Sequence, residues 1–173
     1  PPRSTLFPYT TLFRSGVFLT QREIDLMAEL DVSLVTTLAI ALGVSKLPGL
    51  PDWMAKKAEA CAEANIKTIA MARKAGIRIV LGTDFGNTKN FPYLNNGREF
   101  AAMTEAGMTP MEAIRAGTAN AAKLMMNDRI GTLETGKIAD IALVEGNPLE
   151  DISALNGAEN ILLVFQAGKR VKG

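Results

Sequence analysis

The sequence predicts an α/β fold, a parallel layer or barrel with a β-rich tail, and three observations carry that expectation. Segments of helical and strand character alternate from Thr20 to Leu81. The stretches joining the strand-like segments are long enough for helical crossovers, which parallel pairing requires. After Asp128 the helical pattern stops, and Gly131, Gly136, Gly146, Gly157 and Gly168 punctuate short apolar runs at Ile138–Val144 and Ile161–Phe165.

Each element has a local reason. Thr20 and Glu23 form a capping box ahead of Ile24, Met27 and Leu30 at spacing three, so a helix is expected over 20–30, ended by Asp31. Ser33–Thr37 is short and β-branched and suits a buried strand. Gly43–Pro51, with two glycines and two prolines, reads as a loop. Asp52 is placed to cap a helix that runs to Gly76, with a weak point near Asn65, and Arg73 and Lys74 complement its negative C-terminal end. Ile77–Leu81 follows as a strand. Phe100 and Met103 mark a helix ending at Gly107. Thr109-Pro110-Met111-Glu112 opens the next with a capping box and Pro in its first turn, and Ala119–Met125 is rich in small residues that pack closely.

Composition limits the function classes. With 173 residues and 47% hydrophobic content the chain can bury the core of one domain. Basic and acidic residues number 19 and 18 and are interspersed, so no phosphate-binding face is indicated and nucleic acid is not an expected partner. No apolar run approaches the ~20 residues of a membrane helix. The single Cys61 rules out an internal disulfide framework and fits a reducing, cytoplasmic setting. It falls mid-helix among alanines, as a small core residue would, and no histidine is present to activate it. The eight methionines, among them Met103, Met108, Met111, Met125 and Met126, sit at helical spacings and read as core filler.

The first fifteen residues stand apart. They repeat Thr-Leu-Phe around Pro8-Tyr9, show neither helical nor strand period, and have no expected place in the fold. They lack the continuous apolar stretch and cleavage site of a targeting signal. Thr5–Ser15 resembles, residue for residue, one reading frame of a common sequencing-library adapter, so residues 1–15 are read as an artefact. Without Arg3 and Arg14 the chain has 17 basic and 18 acidic residues, a net charge of −1.

The sharpest chemical feature is Gly82-Thr83-Asp84-Phe85-Gly86, directly after the strand ending at Leu81. A carboxylate at the C-terminal end of a parallel strand is well placed for catalysis, although Asp after Gly-Thr is also a common turn residue. A phosphate loop is disfavoured, since no Lys follows the glycine and no helix starts at once.

The company of this motif is more specific. Gly76–Asp84, Glu105–Ile114, Thr118–Ala122, Ile130–Asp140 and Asn147–Ile152, in that order, resemble the amidohydrolase superfamily, closest in character to its imidazolonepropionase-like and prolidase-like branch. The resemblance covers nearly all of Gly16–Gly173. It implies the C-terminal part of a (β/α)8 TIM barrel over 16–127, supplying the last two strands, and a segment of a small β-sandwich domain over 128–173. It also implies a parent enzyme that hydrolyses C–N bonds of cyclic amides or acyl dipeptides with one or two divalent metals, zinc first among them.

Of the family's metal ligands only the last aspartate is present, matched by Asp84, which in the family binds metal and takes a proton from the attacking water. Where the family places a Glu-His pair before Gly16, this chain has Arg14-Ser15, and it holds no histidine anywhere. The fragment alone is therefore expected to bind no metal stably and to be inactive. Asn95–Glu99 lies where relatives often carry a substrate-side loop, but the favoured reading of Asn-Gly is simply a turn; Arg98 beside it could still meet a substrate carboxylate. Thr118 and Asn120 match the family motif but suit helix capping, and Asp140 reads as structural at the start of a strand. The partner implied is a small-molecule amide, with homo-oligomerisation left open. The competing reading is a non-catalytic α/β binding module with Asp84 as a turn residue.

Overall fold

Three short parallel strands organise the N-terminal part of the chain in the computed structural model, which describes residues 12–86 and 88–173. They are β1 (Leu12–Arg14), β2 (Ser33–Val35) and β3 (Ile79–Val80), in the order β1-β2-β3. Helix α1 (Gln21–Glu29) connects the first pair; α2 (Leu38–Ser45) and α3 (Asp52–Lys74) connect the second. The register pairs Phe13 with Leu34 and Val35 with Val80, which brings all three C-terminal strand ends to one edge.

Helix α1 forms as its pattern dictates. The Glu23 carboxylate accepts the Thr20 N–H at 2.8 Å, Ile24 and Met27 face inward, and Asp31 turns left-handed at φ 51° just beyond the end. Helix α2 departs from expectation. Leu38-Ala39-Ile40-Ala41-Leu42 is apolar around its whole circumference, so no stripe announced a helix, and it continues to Ser45 inside the stretch read as a loop. Pro51, not Asp52, is the N-cap of α3; Asp52 becomes the first helical residue, where its charge still complements the helix dipole. The helix runs unbroken through Asn65, and Ile69 and Ala72 are fully buried.

After β3 come α4 (Arg98–Glu105), α5 (Pro110–Gly117) and α6 (Ala119–Leu124). The α5 capping box is reciprocal: Glu112 N donates to Thr109 Oγ1 at 3.2 Å and Thr109 N to Glu112 Oε2 at 2.7 Å. Ile24, Leu34, Leu38, Ile69 and Met103 form the dry centre of the core. The methionine expectation holds for Met27, Met103 and Met108 and fails for Met111, Met125 and Met126, which are exposed on or beyond the ends of short helices. Cys61 is partly buried. No helix among the described residues is long and apolar enough to cross a membrane.

The C-terminal part is an antiparallel meander of β4 (Ile141–Val144), β5 (Ile161–Gln166) and β6 (Lys169–Lys172). The tight turn from β5 to β6 uses Ala167 and Gly168, both at positive φ, and Asp140 Oδ1 accepts the Ala167 N–H at 2.8 Å. Asp140 is thus a structural clip for the hairpin.

The expectation that residues 1–15 have no place in the fold requires a correction at its end; residues 1–11 lie outside the described residues. Leu12–Arg14 is β1, and Ser15 N donates to Val35 O at 2.9 Å. A strand ladder is built from backbone groups, so an edge strand with three exposed side chains tolerates a sequence that carries no inward pattern. The following turn is unusual, with Ser15 and Phe18 at φ 68° and 64° without being glycine.

Candidate active site

The C-terminal strand ends place Arg14-Ser15, Val35–Thr37 and Leu81–Asp84 along one rim. Gly82 is required there, because a Cβ would lie 2.6 Å from Val35 Cγ1 and 2.9 Å from the Thr36 carbonyl oxygen. That close approach sets the path of the segment leading to Asp84. Asp84 sits at φ 55°, a left-handed conformation that a short polar side chain tolerates better than most. Behind it Phe85 is buried against Phe91, ring centroids 5.3 Å apart, which anchors the loop. The Asp84 carboxylate stays half exposed and accepts a hydrogen bond from Arg14 Nη1 at 3.0 Å. An exposed ion pair contributes only about 0–1 kcal/mol, so it reports placement more than stability. Beside it, Thr37 Oγ1 donates to Ser15 Oγ at 3.0 Å.

A second segment, Asn96–Glu99, staples this rim together. Thr83 Oγ1 donates to Asn96 Oδ1 at 3.0 Å. Gly97 lies so close to the Leu155 carbonyl, in a single helical turn at Ile152–Leu155, that a Cβ would collide with it. The Asn-Gly pair is therefore not an isolated turn. Gly97, at φ −59° and ψ −20°, is the N-cap of α4 and the place where the C-terminal region touches the rim.

Glu99 is completely buried, and its two carboxylate oxygens accept the Leu38 N–H at 2.9 Å and the Ala39 N–H at 2.7 Å. It thus satisfies the otherwise orphan donors at the start of α2. Burial raises its pKa above the usual glutamate value, against the opposing pull of the Thr36 hydroxyl and the two amides. Sequence reasoning missed this carboxylate because its partners lie 60 and 61 positions away.

The other motif residues settle into structural roles. Asn120 Nδ2 donates to the Ile79 carbonyl at 2.8 Å, holding β3 from its outer side, and Thr118 Oγ1 donates to Ile114 O at 2.7 Å. Arg98 is exposed at the first position of α4 and makes no ion pair among the described residues. A cleft of about 740 Å³, lined by Phe100, Ile114, Leu133, Ile141 and Leu155 among others, opens between the helices and the C-terminal sheet; Asp84 does not line it. Among the described residues no three His, Cys, Asp or Glu side chains gather in a metal-binding group.

Comparison with known proteins agrees with this architecture. The sequence profile of the amidohydrolase family matches residues 5–171, beginning inside the adapter-like stretch. The chain is 35% identical over 155 residues to ochratoxinase of Aspergillus niger, covering 86% of this chain and 31% of that protein. It is 38% identical over 101 residues to imidazolonepropionase of Solibacter usitatus, covering 56% and 23%. The crystal structure of A. niger ochratoxinase superposes with a TM-score of 0.81 at 31% identity, over 94% of this chain and 37% of that one. A Xaa-Pro dipeptidase with bound methionine in the active site gives 0.80 at 35% identity, over 94% and 40%. The chain spans about a third or less of the length of the curated relatives it matches. With a match that runs almost end to end, and with the strand-end aspartate and the mixed α/β architecture to go with it, the chain belongs to the amidohydrolase family.

Proposed function

We propose that the whole protein is a hydrolase of C–N bonds in small-molecule amides, acyl dipeptides or cyclic amides, and that this chain supplies its strand-end carboxylate, Asp84. The single observation behind this reading is that Asp84 sits just past the C-terminal end of β3, half exposed and held by buried Phe85 and close-packed Gly82. The names of two relatives span the proposed substrate classes, a Xaa-Pro dipeptidase and an imidazolonepropionase. On this reading β2 and β3 are the last two strands of a (β/α)8 barrel, and β4–β6 are part of a β-sandwich. Arg98 is assigned to the substrate side of the rim, where Asn96 bonds to Thr83.

The family is generally dependent on divalent metal. The residues of this chain do not by themselves fit one, because it has no histidine, no three ligating side chains cluster among the described residues, and the Asp84 carboxylate is already bonded to a guanidinium. In the whole protein, Asp84 would hold a divalent ion, zinc in our assignment, together with ligands from outside this sequence. The chain as it stands is accordingly inactive.

The test is a hydrolysis assay of the whole protein, carrying its native sequence ahead of Gly16, on Xaa-Pro dipeptides and cyclic amides, beside its Asp84→Asn variant. Loss of one proton-accepting group commonly costs about 10²–10⁴-fold in rate, and a loss in that range is expected. Normal turnover by Asp84→Asn would support the competing assignment, a non-catalytic module in which Asp84 is a turn residue, which its left-handed φ favours.

A further inference from the structure

Asn-Gly occurs twice, at Asn96-Gly97 and Asn156-Gly157, and the fold brings the two pairs together. Gly97 packs on the Leu155 carbonyl and on Asn156, so that a Cβ on Gly97 would lie 3.2 Å from the Asn156 Cα. Asn-Gly is the dipeptide most prone to modify itself, because glycine has no side chain to shield its peptide nitrogen. That nitrogen attacks the asparagine Cγ, closing a five-membered imide as the Cγ–Nδ2 bond breaks. The peptide N–H proton passes to solvent hydroxide, and the departing amide takes a proton from water and leaves as ammonia. Water then opens the imide at either carbonyl to give aspartate or isoaspartate. Nothing is oxidised or reduced, and water is the co-reactant.

Ring closure demands that the peptide after the asparagine turn about the Cα–C bond until its nitrogen faces Cγ. Both asparagines start from the same backbone, φ −55° and ψ −28° at Asn96 and φ −72° and ψ −27° at Asn156, so the two differ only in what resists the turn. At Asn96 the moving groups are held. Its carbonyl accepts the Glu99 N–H at 3.2 Å, the Gly97 carbonyl accepts the Phe100 N–H at 3.0 Å, and its Oδ1 accepts the Thr83 hydroxyl at 3.0 Å. Turning this peptide would unwind the start of α4, which carries the buried Glu99.

At Asn156 the corresponding groups are loose. Its carbonyl accepts no hydrogen bond among the described residues, and the Gly157 carbonyl has only a long one from the Asn160 N–H at 3.4 Å. Asn156 Oδ1 is buried without a partner, so the side chain gives up no hydrogen bond by leaving its place. The contact with Gly97 fixes the Asn156 Cα but not the peptide beyond it. Gly157 lines the cleft of about 740 Å³, which leaves room for that peptide to turn.

We infer that Asn156-Gly157 is a self-modifying site of the folded chain, converting to aspartate and isoaspartate, while Asn96-Gly97 carries the same reactive dipeptide in a locked form. Either product adds a negative charge where the C-terminal segment packs on the rim, and isoaspartate also lengthens the backbone by one methylene beside Leu155. The site is independent of the proposed hydrolase activity.

The experiment reads the covalent change directly. The full chain is aged at mildly alkaline pH, folded and in parallel in concentrated urea, and conversion at each asparagine is followed by peptide mapping with mass spectrometry, with isoaspartate detected by enzymatic methylation. In the folded chain Asn156 should convert several-fold faster than Asn96. In urea, where neither pair is held, the two rates should come together. Asn156→Gln, whose longer side chain closes the larger ring poorly, should lose the fast conversion. Equal rates in the folded chain, or faster conversion at Asn96, would overturn the inference. So would an equally large preference for Asn156 in urea, because local sequence and not the fold would then set the difference. A fast conversion that persists in Asn156→Gln would place the reactive site elsewhere and overturn it as well.

Discussion

The parallel sheet and the antiparallel sheet each have three strands, yet they are held together by different physics. Around β1–β3, side chains from five helices close over Leu34, Ile79 and Val80, and the buried core lies between Ile24 and Ala122. From Lys123 to Gly173 no residue is fully buried, and β6 is exposed along its whole length. The second region is shaped by backbone ladders and tight turns, which specify a local form but leave its apolar surface partly wet. A meander of this kind gains independent stability only when another layer covers it. The first region has its layer; the second meets the helices through close approaches such as Gly97 to Leu155 and Gly131 to Ala122, and through the walls of the adjoining cleft.

The largest expected effect lies in the first region. Leu34→Ala empties a fully buried site between β1, β3 and the helices and should cost about 2–5 kcal/mol in urea unfolding. Leu162→Ala in β5, whose side chain is already 49% exposed, should cost less than about 1 kcal/mol. Equal losses would mean that the antiparallel sheet has a core of its own, and the contrast would collapse.

Glu99 sharpens the contrast, because it is a buried polar group in the dry region. Glu99→Ala strands two amides at the start of α2 and should destabilise by about 1–3 kcal/mol. The pH dependence has a definite sign. Its folded pKa is raised, so the native state binds more protons than the unfolded chain, and stability falls as pH rises from the unfolded value through the folded one. Glu99→Gln removes this titration. The stability of the unaltered chain minus that of the variant should shrink as pH rises above about 4.5; a difference that grows would show that the amides outweigh burial.

Legibility in the sequence follows the range of the interactions. Helices α1 and α5 were legible because a capping box acts within four residues, and the position of Asp84 past a strand end was legible because a β-branched run and a Gly-Thr pair precede it directly. Helix α2 was not, since a helix apolar around its whole circumference has no stripe to read. The roles of Glu99 and Arg14 were also invisible, as their partners lie 60 to 70 positions away. β1 was missed because its place rests on backbone bonds that any sequence could make.

That last point sets a smaller effect. A deletion ending at residue 11 should leave the unfolding midpoint unchanged, as expected for a patternless segment. One ending at residue 15 removes the ladder to β2 and the Ser15–Val35 hydrogen bond, and should cost about 1–3 kcal/mol at roughly 1 kcal/mol per hydrogen bond. If both deletions are neutral, β1 is ornamental and all of residues 1–15 are dispensable.

The smallest change in stability should accompany the largest change in association. Leu143 and Leu162 project from the antiparallel sheet at 42% and 49% exposure, and Leu133 stands nearby at 79%. Apolar side chains left this open on a thin sheet favour contact with any similar surface, including a second copy. The chain should therefore elute from size-exclusion chromatography larger than a 18.5 kDa monomer, increasingly so at higher concentration. Leu143→Thr/Leu162→Thr keeps β propensity while removing the apolar tips, so unfolding should move by no more than about 1 kcal/mol while elution shifts towards the monomer. A sharp monomer peak for the unaltered chain at all concentrations would show that the meander is adequately covered as it is. A double variant that stays associated would place the sticky surface on the parallel sheet, whose outer strands β1 and β3 are the other edges available for pairing.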